Sequence, residues 1–146
     1  MKKHKPLIIT FAVLSLLFIW TNSVIAPGAS SRASGYFTRI LGPLLEIIVG
    51  RGNVTEHLVR KLAHLAEYAF FGLWLALWME ADDRKALNAL LAGFITAFID
   101  ETIQMFTGRG PSIKDVWIDV SGVAAGIGAI HVILALTGYF IRKKKT

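Results

Sequence analysis

Apolar residues in this chain fall into long runs separated by short polar turns. Residues 7–26, 58–79, 86–106 and 113–141 are such runs. Each has about the 20 residues that a helix needs to cross a hydrocarbon core of roughly 30 Å. The pattern predicts an all-α integral membrane protein with four transmembrane helices in one membrane domain, residues 1–146. The first run has a rival reading as a secretory signal. A basic start and an apolar stretch end at Val24, Ile25 and Ala26, an acceptable cleavage site. Pro27 directly after that site, and the length of the apolar stretch, argue for a retained helix.

Residues 27–57 follow another pattern. Gly28, Ser30, Ser31, Ser34 and Gly35 read as a flexible start, after which Tyr36, Phe37, Ile40, Leu41, Leu44, Leu45, Ile47 and Ile48 recur at helical spacing with a break at Pro43. Such a segment is too short and broken to span, and is expected as one or two amphipathic helices in the interface or as a loop packed over the bundle. Gly50, Gly52 and Asn53 end it, and Thr55 is placed to cap the next helix. The stretches 80–85 and 107–114 read as polar hairpins, the second punctuated by Gly and Pro.

Composition agrees with the membrane reading. Hydrophobic residues make up 54% of the chain and charged residues only 18%, with a mean hydropathy of +0.55. Soluble proteins carry about a quarter charged residues. Cysteine is absent, which excludes disulfides and thiolate chemistry. The net charge of +6 comes largely from basic flanks, Lys2, Lys3 and Lys5 at one end and Arg142 to Lys145 at the other, so no nucleic-acid partner is expected. Those clusters, with Arg84 and Lys85, place both termini in the cytoplasm of a multi-pass plasma-membrane protein. Arg32, Arg39, Arg51, Arg60, Lys61, Arg109 and Lys114 then lie outside, most of them spread over one long segment.

With that topology, polar patches inside three spans meet at the depth of the outer leaflet. His64, Glu67 and Tyr68 share a face at i,i+3 and i,i+4 spacing in the second span. Thr96, Asp100 and Gln104 repeat by four near the end of the third, with Glu101 offset by about 100°. Asp115, Asp119 and Gly122 form a stripe in the fourth, and Gly122 with Gly126 permits close helix approach. Ionisable side chains in a bilayer are costly, so these are candidate functional residues that point into the bundle. Carboxylates so close together do not all carry charge unless they are paired, and one that keeps its proton is a proton donor. Read singly, His64 fits a hydrogen-bonded helix residue, and Asp100, Glu101 and Gln104 fit a helix end near the headgroups. Arg109 fits a carboxylate partner as well as a phosphate. His64 with these carboxylates would suit a hard or borderline cation. The near balance with Arg60, Lys61, Arg109 and Lys114 fits a paired network at least as well, so no metal and no cofactor is expected.

Three motifs resemble the VanZ-like family of membrane proteins, named for a protein linked to teicoplanin resistance. The first is Lys-x-x-His-x-x-Glu-Tyr, here Lys61, His64, Glu67 and Tyr68. Next comes Asp-Glu-x-x-Gln with a following Gly-Arg, here Asp100, Glu101, Gln104, Gly108 and Arg109. The third is Ser112, Asp115, Asp119 and Gly122, with Asp119 where many members carry Asn. The resemblance covers about residues 57–130 and leaves out the first span and the amphipathic segment. It implies several membrane helices and, for some members, altered lipoglycopeptide susceptibility, without a settled reaction.

The expected function is an outer-leaflet polar pocket that binds the headgroup of an envelope lipid or lipid-linked precursor. Lys61, Arg60 and Arg109 would hold phosphate or carboxylate. Glu67, Tyr68, Asp100, Glu101, Gln104, Ser112, Asp115, Asp119 and His64 would complete the binding site. Two alternatives stand beside it. One is a membrane hydrolase or transferase with His64, Glu67, Asp100 and Asp119 as candidate acid–base groups and Ser112 or Tyr68 as nucleophile. The other is a small structural or regulatory subunit. A transporter fits less well, because the inner halves of the spans carry no polar path.

Overall fold

The computed structural model describes residues 2–25, 27–81, 86–108 and 110–143. A short 3-10 turn leads into five helices: α1 (Lys5–Val24), α2 (Pro27–Val49), α3 (Glu56–Ala81), α4 (Ala86–Phe106) and α5 (Ile113–Lys143). Four of them, α1, α3, α4 and α5, are long and apolar enough to cross a membrane, and the described residues form no strand. The protein is an all-α membrane protein, as its hydropathy pattern predicts. Ala26 and Arg109 lie outside the described residues.

The centre of the bundle is the contact between α3 and α5, and it is made by glycine. A Cβ at Gly122 would lie 2.6 Å from the Leu65 carbonyl oxygen, and one at Gly126 would lie 2.7 Å from the Leu73 amide nitrogen. Facing them, a Cβ at Gly72 would meet the backbone of Val123 at 2.8 Å. The helices touch backbone to backbone, as small residues at regular spacing allow in a membrane, where dispersion rather than water drives packing. Val123 also fills the notch at Gly93 of α4. Around this seam Tyr68, Phe71, Leu75, Ala97, Val123 and Ile127 form the core. On α1, Ile8, Ala12, Ser15, Ile19 and Ser23 recur every three or four residues and are the buried ones. The other faces carry lipid-ready side chains such as Leu14, Phe98 and Ile133.

Two expectations for residues 27–57 change. The stretch from Gly28 to Gly35, read as flexible, is helical, and α2 passes through Pro43 without a break. Proline removes only one backbone hydrogen bond, and Phe37, Leu41 and Leu45 on either side of it stay aligned on one face if the helix continues. Thr55 caps α3 as expected, its Oγ1 accepting from the Leu58 amide at 3.1 Å. Gly50 and Gly52 make the preceding turn with φ of 88° and 78°, a region that side chains disfavour.

Candidate functional site

The C-terminal ends of α1 and α4 and the N-terminal ends of α3 and α5 lie together, and the polar side chains of the bundle are gathered there. On α4 the buried residues of this region are polar apart from Ala97: Thr96, Asp100, Glu101 and Gln104. Asp100, fully buried, accepts hydrogen bonds from Ser23 Oγ and from Gln104 Nε2, the latter at 3.0 Å. Glu101 accepts from the backbone amide of Ser112 at 2.8 Å and so ties the end of α4 to the start of α5. Glu67 accepts from Asn22 Nδ2 at 3.1 Å. Thr107 Oγ1 donates to the Ser23 carbonyl at 3.2 Å.

Across the α3–α5 seam, Lys61 pairs with Asp115 at 2.9 Å, both side chains about one-third exposed. One turn deeper, His64 Nδ1 is 3.8 Å from Asp119 Oδ1, too far for a hydrogen bond. Asp119 is 1% exposed, and neither of its carboxylate oxygens has a hydrogen-bond partner among the described residues. The Tyr68 hydroxyl is equally buried and lacks such a partner too, in the field of Asp100, Asp119, Glu101 and Glu67. Most buried polar atoms in proteins are hydrogen-bonded, and these two groups are exceptions, as are the indole nitrogens of Trp20 and Trp74.

The three expected patches therefore meet, but the space between them divides in two. A cavity of about 30 Å³ is lined by Arg60, Lys61, His64, Glu101, Gln104, Asp115, Ile118 and Asp119. That is room for about one water or one ion, and not for a lipid headgroup. The larger space is a groove of about 630 Å³ between α1, α2 and α3. Phe18, Ile25, Phe37, Leu41, Leu45, Leu62 and Ala66 give it apolar walls, and Asn22, Arg60, His64 and Glu67 stand along it. Arg60 and His64 border both spaces. Glu67 and Tyr68 do not line the small cavity, and Ser112 is engaged through its backbone at the start of α5. For a nucleophile this is poor ground: the Tyr68 hydroxyl is fully buried.

Sequence reasoning assigned no site residue to α1 or α2. Asn22 and Ser23 bond directly to Glu67 and Asp100, and Ser34 accepts from Arg60 Nε at 3.4 Å. A signal was present: Thr21, Asn22 and Ser23 are three polar residues near the end of an otherwise apolar run.

A family model described as VanZ/LLP1 matches residues 8–135. The chain belongs to the VanZ/LLP1 family. The match takes in α1 and α2, so the family region extends beyond residues 57–130 and includes Asn22 and Ser23. Among curated proteins, an uncharacterized membrane protein, YwnJ, of Bacillus subtilis (strain 168) is 34% identical over 77 residues, which are 52% of this chain and 51% of that protein. The VanZ/LLP1 chain thus spans about half the length of this relative. No solved structure matches it.

One set of side chains in this VanZ/LLP1 site has the composition of metal ligands and could hold an ion. His64, Asp100 and Asp119 each offer one ligand atom, and these atoms lie within 4.8 Å of one another. The expectation of no metal was drawn from charge balance along the sequence. It did not include Asp119 buried beyond hydrogen-bond reach of any described cation.

Proposed function

We propose that this VanZ/LLP1 protein binds an anionic envelope lipid or lipid-linked precursor, its chain in the groove between α1, α2 and α3 and its headgroup against Arg60, His64, Asn22 and Glu67. The observation that carries the reading is the groove itself. Its volume of about 630 Å³ falls within the ~300–1,000 Å³ of ligand sites, and its polar groups are few. Arg60 offers a planar cation suited to a phosphate, and Asn22 and Glu67 offer a donor and an acceptor for hydroxyl or amine groups.

With both termini in the cytoplasm, the groove opens toward the outer leaflet, where envelope precursors and lipoglycopeptides meet. Altered teicoplanin susceptibility would then follow from a change in which lipids are held or displayed there. The test is replacement of the gene by Arg60→Ala and Glu67→Ala variants that insert and accumulate normally. Both are expected to change envelope lipid composition and lipoglycopeptide susceptibility in the direction of the gene deletion. Unchanged lipids and susceptibility in both variants would contradict the reading.

A membrane hydrolase acting on a lipid-linked substrate is the second reading. The cavity beside His64 and Asp119 favours it, because it has room for about one water next to the groove. That reading predicts a released product detectable by mass spectrometry that is lost in Asp119→Asn. Continued release from that variant would exclude it.

A further inference from the structure

We propose that His64, Asp100 and Asp119 form a binding site for one divalent transition cation of the manganese or zinc type. The proposal does not rest on the lipid reading. It joins an imidazole from α3, a carboxylate from α4 and a carboxylate from α5, with ligand atoms within 4.8 Å of one another. A single ion bonded at about 2.0–2.2 Å to each ligand requires ligand atoms no farther apart than about 4 Å. Small side-chain rotations close the remaining gap.

Asp119 supplies the independent observation. It is 1% exposed, lines the small cavity, and has no hydrogen-bond partner at either oxygen among the described residues. A buried carboxylate left in that condition is costly, and a coordinated cation removes the cost. The cavity of about 30 Å³, which His64 and Asp119 line, has room for about one ion.

The neighbouring groups act as a supporting shell. Ser23 Oγ and Gln104 Nε2 each donate to one oxygen of Asp100, which fixes the orientation of the carboxylate. Lys61, which also lines the cavity, is paired with Asp115. The mixed ligand set decides the class of ion. Carboxylates alone suit magnesium, calcium and manganese, whereas an imidazole favours zinc and its transition-metal neighbours. Manganese and zinc satisfy both.

The test uses the full chain purified in detergent, stripped with a chelator and titrated with Mn2+ while electron paramagnetic resonance counts the bound ion. One Mn2+ per chain is expected, displaced by Zn2+ and not by Ca2+, with electron spin-echo modulation from one imidazole nitrogen. Asp119→Asn and His64→Gln are expected to weaken binding by about ten-fold or more with unchanged gel-filtration behaviour, and His64→Gln to abolish the nitrogen modulation. His131→Ala, on an outer face of α5, is expected to bind as the natural chain does. Ser23→Ala, which keeps all three ligands, is expected to weaken binding while the nitrogen modulation persists. Absence of a stoichiometric ion, or nitrogen modulation that persists in His64→Gln, would overturn the proposal. Neither result depends on whether a lipid is bound, so the two proposals fail separately.

Discussion

Ser23 and Lys61 illustrate how differently two polar contacts of the site weigh on stability. Lys61 and Asp115 are each about one-third exposed, so solvent screens the pair and Lys61→Met is expected to cost about 0–1 kcal/mol. Ser23 is fully buried and donates to a buried carboxylate. Ser23→Ala leaves Asp100 short of a donor and is expected to cost about 1–3 kcal/mol. Thermal unfolding of the two variants in the same detergent checks the order. A larger loss for Lys61→Met would contradict it. At this scale the sequence was partly legible. The i,i+3 and i,i+4 spacings put His64 with Glu67 and Tyr68, and Asp100 with Gln104, because helical geometry alone decides those neighbours. No local spacing could pair Ser23 with Asp100, 77 residues away, or leave Asp119 without a donor.

Among the elements, the α3–α5 seam fixes the site, because it sets how far His64 stands from Asp119. Gly126→Leu would drive a side chain into the backbone of Ala69 and Leu73 and is expected to abolish accumulation of folded protein. Gly128→Ala, only two residues on, meets nothing within 4 Å and is expected to accumulate normally. Fluorescence-detected gel filtration distinguishes them, and equal behaviour would argue against a glycine seam. Gly122 and Gly126 were legible as a close-packing pair from their spacing, although their partner helix was not. The helix α2 was the least legible. Glycine, serine and Pro43 are weak helix signals in water. Propensity is only a weak prior, and tertiary context overrides it: Phe37, Leu41 and Leu45 line a common groove.

For the whole molecule, four apolar runs were enough to read a four-span helical protein, since a bilayer leaves few other ways to satisfy the backbone. Where the room for a ligand lies was not readable, because the groove is lined jointly by α1, α2 and α3 and depends on how they are placed against one another. The lack of natural cysteine makes topology directly testable. If both termini are cytoplasmic, as the basic flanks predict, Gly110→Cys in the α4–α5 turn is expected to react with a membrane-impermeant maleimide in intact cells, and Lys3→Cys only after permeabilisation. The reverse pattern would turn the site toward the cytoplasm and remove extracellular antibiotics from the account.

The central claim, that an anionic lipid occupies the α1–α2–α3 groove, is tested most directly by photo-crosslinking. The protein is reconstituted with an anionic phospholipid bearing a diazirine in its acyl chain, irradiated, and mapped by peptide mass spectrometry. Adducts are expected to concentrate on Phe37, Leu41, Leu62 and Ala66, and to be lost from Phe37, Leu62 and Ala66 in Leu41→Trp, which fills the groove. An even spread over Leu14, Phe98 and Ile133, which face outward from the bundle, would contradict it.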